Sequence, residues 1–496
     1  MGEWFLRYAA RNDSRSIAEK PMTEATAPPP SAPNPVSYGD VLKHAEVKIL
    51  AVSRFAAKMA GATLSYGVMV FLATAGASQF EISLANSAAY LAALLFGLQG
   101  GMLADSASKR RILTAGFIAQ ALLCLLIPVL FGTDIGPMLV LIFMTSGIAQ
   151  VISPGLKSIV AIVSSPAEVA TTGALVNVVG SIGSAVGSSF MAPLLIKFFG
   201  INAVLAVGGL LYLIGAVRIF RLPKKEADER KSLREAVSSM SWKPRALSLG
   251  YNADWIMAHR PVASMLLVGI LCAALFEGIN SLLPVYVRDV LHEDPANSIY
   301  IFAPAGIGYL IGAVGGPRLI RRMGERKLAI VSLVLMIVGA FLLGMIDQVA
   351  PFFARFSPLR LLEPFGIQLS DLVLAAGVIA MPANLGSTAA GQAVQVYINR
   401  HVPVVEQGGM FGLQQVQQNA FNLASVFLLG IVATIVGPEV VFLIAPLIVG
   451  TIVLMLVRYS FRHTSKESVA RGGAARFLTE KREEDDQIID NQKSDD

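Results

Sequence analysis

Residues 100–111 read GGMLADSASKRR, and residues 315–327 read GGPRLIRRMGERK. Each stretch closes one long apolar segment and opens the next, with a glycine pair followed by a basic cluster. The same element at corresponding places in two halves of a chain indicates an internal repeat. Repeated six-helix halves joined by a hydrophilic loop are typical of membrane transporters.

The composition also points to the membrane. Of the 496 residues, 54% are hydrophobic and 15% are charged, whereas soluble proteins average about 45–50% and about 25%. This balance excludes a large water-soluble enzyme. A helix needs about 20 apolar residues to cross a bilayer, and twelve stretches meet that length. They are 49–74, 82–103, 112–131, 137–160, 169–192, 201–219, 262–287, 298–320, 328–346, 369–396, 408–436 and 439–459.

The 40 Lys and Arg residues predict the orientation. Of these, 34 lie in the two tails, in alternate loops or at the helix ends beside them, and two lie inside the first span. The other 4 lie in the remaining loops, namely Lys197, Arg288, Arg355 and Arg360. Positive charge stays on the cytoplasmic side, so both termini are predicted to be cytoplasmic. The net charge of +6 is then a topology signal and predicts no nucleic-acid partner.

We therefore expect an all-α integral membrane protein with two pseudo-symmetric six-helix bundles. The predicted parts are a disordered cytoplasmic N-terminal tail (1–46), a first bundle (47–220), a cytoplasmic central loop (221–260), a second bundle (261–460) and a disordered cytoplasmic C-terminal tail (461–496). The expected location is the plasma or inner membrane, as a multi-pass monomer in the lipid bilayer.

The chain resembles the major facilitator superfamily. Its segment from Gly101 to Arg111 is similar to that family's signature G-x-L-a-D-r-x-g-r-k. Arg54, the sequence Ser153-Pro154-Gly155, the glycine-rich fifth span and residues 399–412 (NRHVPVVEQGGMFG) resemble the drug-efflux branch that includes macrolide and siderophore exporters. The resemblance implies twelve helices in the major facilitator fold, and a multidrug efflux antiporter.

The signature loop suggests a gate. By resemblance, Gly101 allows close helix approach and Asp105 meets a helix N-terminus or an arginine in only one access state. Lys109, Arg110 and Arg111 either anchor the cytoplasmic face for this gate or only follow the positive-inside rule.

Glu277 is the most informative single residue. A carboxylate this deep in a span costs roughly 2.5–3.5 kcal/mol unless it faces a cavity or a partner. It is therefore a candidate proton carrier, with a structural ion pair or hydrogen bond as the alternative. Asn280 lies one turn along the same face.

Arg54 and Lys58 share a face of the first span because they are four residues apart. Arg54 is interpreted as an anchor that extends to the cytoplasmic surface. Lys58 is a candidate for substrate binding or coupling. Its depth differs from that of Glu277 by about 9 Å, so a direct pair requires Lys58 to stretch.

Gly180, Gly183 and Gly187 lie three and four residues apart in the fifth span. They partly match the antiporter motif of that span, but Ser188 stands where a proline is expected, so close helix packing is the preferred interpretation. The eleventh span carries a broad polar arc that includes Gln414 and Gln418. Hydrogen bonding between the halves is favoured slightly over substrate binding there.

Other polar side chains lie at cavity depth, and each alone is explained by a helix–helix hydrogen bond. They are Tyr66, Asn86, Gln150, Asn177, Asn384 and Gln392. Together they predict a mostly apolar cavity with few polar groups, suited to amphipathic compounds.

The sequence contains no phosphate-binding loop and no HExxH, GxSxG or CxxC motif. These absences predict neither an ATP-driven process nor an enzyme, and no cofactor or metal. The expected partners are a small-molecule substrate and protons.

The preferred hypothesis is a secondary active transporter that exports small amphipathic molecules by alternating access, driven by a proton or ion gradient. A lipid or lysolipid translocator of the same fold is an alternative. A non-transporting receptor or scaffold is another, because fold does not fix function.

Overall fold

A computed structural model describes residues 38–106, 108–165, 168–222, 260–365, 368–401 and 404–455 of the protein. Twelve helices of this part are long and apolar enough to cross a membrane, which confirms the all-helical prediction with twelve spans. The C-terminal tail, residues 1–37 of the N-terminal tail and most of the central loop lie outside the described residues. Residues 38–46, predicted as part of a disordered tail, contain a short helix at Tyr38–Val41 and the start of a long helix at Ala45.

We number the membrane helices α1 to α12. They are α1 Ala45–Thr74, α2 Gln79–Ser106, α3 Lys109–Phe131, α4 Ile135–Val163, α5 Val169–Val186 with its continuation, α6 Ile201–Phe220, α7 Arg260–Asp289, α8 Ile299–Met323, α9 Glu325–Gly344, α10 Asp371–His401, α11 Val404–Val436 and α12 Pro438–Met455. After α5, a π-helical turn at Gly187–Met191 leads directly into a further α-helix at Ala192–Phe199.

The two halves use the same helix pairings. In the first half α1 packs on α5, and α4 packs on α2 and α3. In the second half α7 packs on α11, and α10 packs on α8 and α9. The two GG-containing stretches end α2 and α8, so they form the same turn in each half. The halves meet where α2 contacts α11 and where α5 contacts α8, so the contact surfaces are also equivalent.

The fifth helical segment is longer than predicted. The sequence places its end at residue 192, but the π-helical turn carries the helix on to Phe199, and Gly200 with φ +74° ends it. Lys197 therefore belongs to the helix and not to a loop. The loop between α9 and α10 also folds into short helices, at Ile346–Phe353, Ala354–Phe356 and Pro358–Phe365.

The halves touch at the end of the bundle opposite the termini, which we call the outer end. Arg288 at the end of α7 donates hydrogen bonds through Nη1 to the carbonyl oxygens of Ala73 (3.3 Å) and Ala77 (3.0 Å). Lys197 Nζ donates to the Tyr300 hydroxyl at 2.9 Å. These contacts join the first half to the second and close the outer end.

The exposure of Lys58 indicates an opening between the halves, nearer the termini. Lys58 is in the middle of α1 and yet exposed. An ammonium group at this depth is too costly in hydrocarbon, so Lys58 faces the opening. The polar contacts between the halves thus lie at the outer end, and the exposed Lys58 lies on the side nearer the termini.

Candidate functional site

A row of polar side chains in contact with one another crosses the boundary between the halves at mid-depth. Tyr90 on α2 and Glu277 on α7 are hydrogen-bond partners, and the Tyr90 hydroxyl is the donor. Asn422 on α11 is a second hydrogen-bond partner of Tyr90, and it is only 4% exposed. The group that lies against Glu277 is thus the Tyr90 hydroxyl.

A second polar contact joins the halves on the equivalent surface. Tyr309 on α8 and Ser181 on α5 are hydrogen-bond partners, and Tyr309 is close enough to Glu277 to interact with its charge. Glu277 therefore faces one tyrosine from each half. Its carboxylate can accept a proton or a hydrogen bond in a region that both halves line.

Arg54 is buried between α1 and α5, at 8% exposure. A Cβ added to Gly180 would lie 3.1 Å from Arg54 Nε and 3.6 Å from Lys58 Cγ. The missing side chain of Gly180 thus leaves room for Arg54, while Lys58 Cγ would be at an ordinary contact distance. This burial differs from the interpretation of Arg54 as a surface anchor, because the guanidinium lies against a neighbouring helix.

The glycines of α5 allow the backbone of α1 to approach closely. A Cβ on Gly183 would lie 2.6 Å from the carbonyl oxygen of Phe55, and one on Gly187 would lie 2.5 Å from that of Met59. Gly187 begins the π-helical turn, and its own carbonyl accepts a hydrogen bond from Thr63 Oγ1 at 3.3 Å. Such turns are frequent at functional sites.

The polar arc of α11 is partly used for contact between helices. Asn419 is buried and accepts a hydrogen bond from Gln415 Nε2 at 3.2 Å. Gln414 and Gln418 are partly buried. Asn422 contacts the other half through Tyr90, as described above, so this face of α11 supplies polar groups at the boundary.

The remaining predicted polar residues divide between helix contacts and the opening. Gln392 Nε2 donates to the carbonyl of Ala313 at 2.7 Å, which joins α10 to α8. Asn384 and Gln150 donate to carbonyls one turn earlier in their own helices. Tyr66 is buried, and its ring packs edge-on against Phe302 of the other half, with centroids 4.6 Å apart.

Three further predicted polar residues are not fully enclosed. Asn177 is exposed, and Asn86 and Asn280 are partly buried. Asn177 lies one turn before Gly180 on α5, so it is on the helix face that borders Arg54 and Lys58.

The predicted gating loop is described only in part. The backbone of Gly101 and Asp105 continues α2, but their side chains lie outside the described residues. Lys109 is buried at the start of α3, at 5% exposure. The Arg110 guanidinium lies 4.7 Å from the centre of the Phe220 ring, and Arg111 is exposed.

Sequence reasoning missed several residues that join the halves. Tyr90 was not singled out, because a tyrosine in an apolar helix gives no signal until its partner is known. Lys197 and Tyr300 were also missed. A lysine so close to an apolar run is a signal that could have identified Lys197. Arg288 was counted only as a loop charge.

The family model described as "Major Facilitator Superfamily" matches residues 50–357, which is more than half of the chain. No curated protein is significantly similar to the chain in sequence.

Solved structures of transporters have the same fold. The nucleoside transporter NupG is 14% identical with a TM-score of 0.59, and the alignment covers 84% of this chain and 99% of that one. A bacterial homologue of the iron transporter ferroportin, in an inward-facing state, is 14% identical with a TM-score of 0.57, covering 83% of this chain and 98% of that one. At these identities the likeness concerns the fold alone.

The family match, the twelve membrane helices in two equivalent halves and the polar groups between them agree with one another. The protein is a multi-pass membrane transporter that takes a small-molecule substrate. The chain belongs to the major facilitator superfamily.

Proposed function

We propose that this protein is a secondary active transporter that exports small amphipathic or hydrophobic compounds by alternating access, driven by a proton or ion gradient. The observation that carries the proposal is the contact of Glu277 on α7 with Tyr90 on α2. One ionisable carboxyl group at mid-depth has its partner in the other half. Protonation of that group and movement of the halves are therefore linked.

The link follows from electrostatics. A carboxylate inside a membrane protein is stabilised by hydrogen bonds from its neighbours, and Tyr90 supplies one. If the halves rock apart at this level, the carboxylate loses that donor and the cost of its charge rises. Protonation removes the charge and so removes the cost. A proton taken up on one side and released on the other can drive the cycle.

Lys58 and Asp105 have further roles in the proposed transport cycle. Lys58 acts as the electrostatic partner of substrate or proton, because it is charged, central and exposed to the opening. Asp105 belongs to the cytoplasmic gate by its resemblance to the family signature. The sparsely polar lining favours amphipathic cargo over sugars, and the resemblance to the drug-efflux branch favours export.

Everted membrane vesicles test the proposal. Vesicles with and without the protein are energised, and quenching of a panel of amphipathic dyes is followed. We expect accumulation that requires the protein and collapses when a protonophore is added. Accumulation that is the same without the protein, or unaffected by loss of all ion gradients, would contradict gradient-driven export.

Two added measurements separate the rival functions. A lipid translocator would move a fluorescent lysophospholipid between leaflets in proteoliposomes without moving the dyes. A scaffold would lose its function when residues 1–37 and 461–496 are removed, whereas the proposed transporter keeps dye export.

A further inference from the structure

We infer that Arg54 and Lys58 form a binding site for the anionic group, a carboxylate or a phosphate, of the transported compound. The inference deepens the proposed function and rests on it, since it names the headgroup of an amphipathic substrate. The site lies between α1 and α5, on the side of the opening nearer the termini.

Arg54 is a buried cation without a counter-charge among the described residues. Its side chain is more than nine-tenths buried, and its Nε has no hydrogen-bond partner among the described residues. No carboxylate of the described part of the chain forms an ion pair with it. A buried guanidinium without a counter-charge is costly, and intramembrane charges of this kind mark substrate or ion pathways. An anionic ligand would supply the missing partner.

A second cation, Lys58, lies beside Arg54. Lys58 lies one turn further along the same face of α1 and is exposed to the opening. Gly180 borders both residues, at 3.1 Å from Arg54 Nε and 3.6 Å from Lys58 Cγ for an added Cβ. Two positive charges on adjacent turns, one enclosed and one exposed, create a positive field at the wall of the opening.

The hydrogen-bond donors of these two side chains suit an anionic group. A guanidinium offers several N–H groups in a plane that matches carboxylate and phosphate oxygens, and an ammonium adds a compact charge. Asn177 is exposed one turn before Gly180 on α5 and can add an amide donor. Apolar side chains dominate the rest of the helices, so the alkyl part of an amphiphile has a surface to bind.

Binding is measured on the full-length protein in nanodiscs of zwitterionic lipid, by isothermal titration calorimetry. The probes are octyl phosphate, octanoate, octyl glucoside and inorganic phosphate. We expect octyl phosphate or octanoate to bind roughly tenfold or more tightly than octyl glucoside, as charge-assisted hydrogen bonds would give. The ratio between octyl phosphate and octanoate identifies the preferred headgroup. Comparison with inorganic phosphate shows whether a free anion suffices, and either result supports the anion site.

The variants Arg54→Gln and Lys58→Gln should each weaken binding of the anionic probes roughly tenfold and leave octyl glucoside unchanged. Arg54→Lys should restore part of the loss. Arg318→Gln is the matched control, because Arg318 is exposed at the same end of the bundle. It should change nothing.

The Gly180→Ala variant keeps both charges and tests the geometry. Its Cβ would lie 3.1 Å from Arg54 Nε, so the guanidinium must shift by a few tenths of an ångström. Anion binding should therefore fall even if Arg54→Gln does not fold. Equal binding of anionic and neutral probes by the native protein would overturn the inference. So would a loss in Arg54→Gln that is the same for all probes, since that is a structural effect.

The binding measurements need no ion gradient, so they can fail or succeed separately from the transport assay. If the anionic probes bind as expected but vesicles show no gradient-driven export, the proposed function fails and the site stands. If export is present and the probes bind without preference for charge, the site fails and the function stands.

Discussion

Tyr90 of the first half and Glu277 of the second half are hydrogen-bond partners at mid-depth in the membrane region. Asn422 contacts the same tyrosine from α11, so three helices from two halves meet at one hydroxyl group. The arrangement makes Tyr90 a positioning residue for the carboxylate that we propose as the proton acceptor.

Replacing Tyr90 with Phe removes the hydroxyl and keeps the ring. A hydrogen bond to a charged group contributes about 1.5–3 kcal/mol, so we expect gradient-driven transport to fall about tenfold or more. Tyr212→Phe, a buried tyrosine of α6, is the control and should transport normally. Because Tyr90 acts through Glu277, Tyr90→Phe should leave the gradient-free exchange rate of Glu277→Gln unchanged. A further loss of exchange in the double variant would contradict this role of Tyr90.

Arg288 holds the outer end closed through the carbonyls of Ala73 and Ala77. Arg288→Gln removes these bonds and should favour opening at that end. The measurement is labelling of Ser281→Cys by a membrane-impermeant maleimide, in a background where Cys124 and Cys272 are alanine. Ser281 is fully buried behind this contact. We expect labelling about tenfold faster from the loss of two charge-assisted bonds.

The control for this experiment is Arg355→Gln, which removes an exposed arginine from the loop between α9 and α10. Its labelling rate should match that of the parent protein. Equal rates for Arg288→Gln and the control would show that Arg288 does not close the outer end.

Gly183 permits close packing of α5 on α1. In Gly183→Ala the new Cβ would lie 2.6 Å from the Phe55 carbonyl oxygen, so the helices must move apart. Overpacking of this kind costs about 1–3 kcal/mol, and the melting temperature of the detergent-solubilised protein should fall by several degrees. Gly173→Ala is a control in the same helix, because no atom lies within 4 Å of its added Cβ. Equal melting temperatures for the two variants would refute the packing role.

Glu168 contributes a pH-dependent contact at the start of α5. Its carboxylate accepts hydrogen bonds from Ser165 N at 3.3 Å and Ser165 Oγ at 2.8 Å, and His44 Nε2 lies 3.3 Å away. The bonds from Ser165, with a smaller contribution from His44, hold the pKa of Glu168 below its ordinary value of 4.5. A lowered pKa stabilises the folded state above that ordinary value, and the stabilisation is lost as the pH falls through the lowered pKa.

The melting temperatures of the native protein and Glu168→Gln test this. The native protein should melt higher at neutral pH, and the difference should shrink below the ordinary glutamate pKa. A difference that is constant down to strongly acidic pH would show that the charge of Glu168 is not the cause.

The twelve helices and the two-half plan could be predicted because hydrophobic length and an internal repeat are local properties of the sequence. Glu277 could be singled out for the same reason, since one carboxylate in an apolar run is costly wherever its helix packs. Tyr90 could not, because its role depends on which side chain of the other half it meets.

Arg54 illustrates the same limit. A cation near the start of a span predicts an extension to the surface, and only the missing side chain of Gly180 shows that the guanidinium lies between α1 and α5. Lys197 was assigned to a loop because the π-helical turn at Gly187–Met191, which lengthens the helix, has no sequence pattern of its own. Local hydrophobicity thus determines the spans, while tertiary packing decides which polar residues meet.

The most direct test of proton-coupled transport compares Glu277→Gln with Glu439→Gln, an exposed glutamate at the outer end, in proteoliposomes. Two rates are measured for one exported dye, namely uphill transport driven by a pH gradient and exchange without a gradient. We predict that Glu277→Gln loses uphill transport and keeps exchange, because a neutral amide mimics the protonated carboxyl group, while Glu439→Gln keeps both. Uphill transport by Glu277→Gln at the native rate would contradict the account, as would loss of both rates in a properly folded variant.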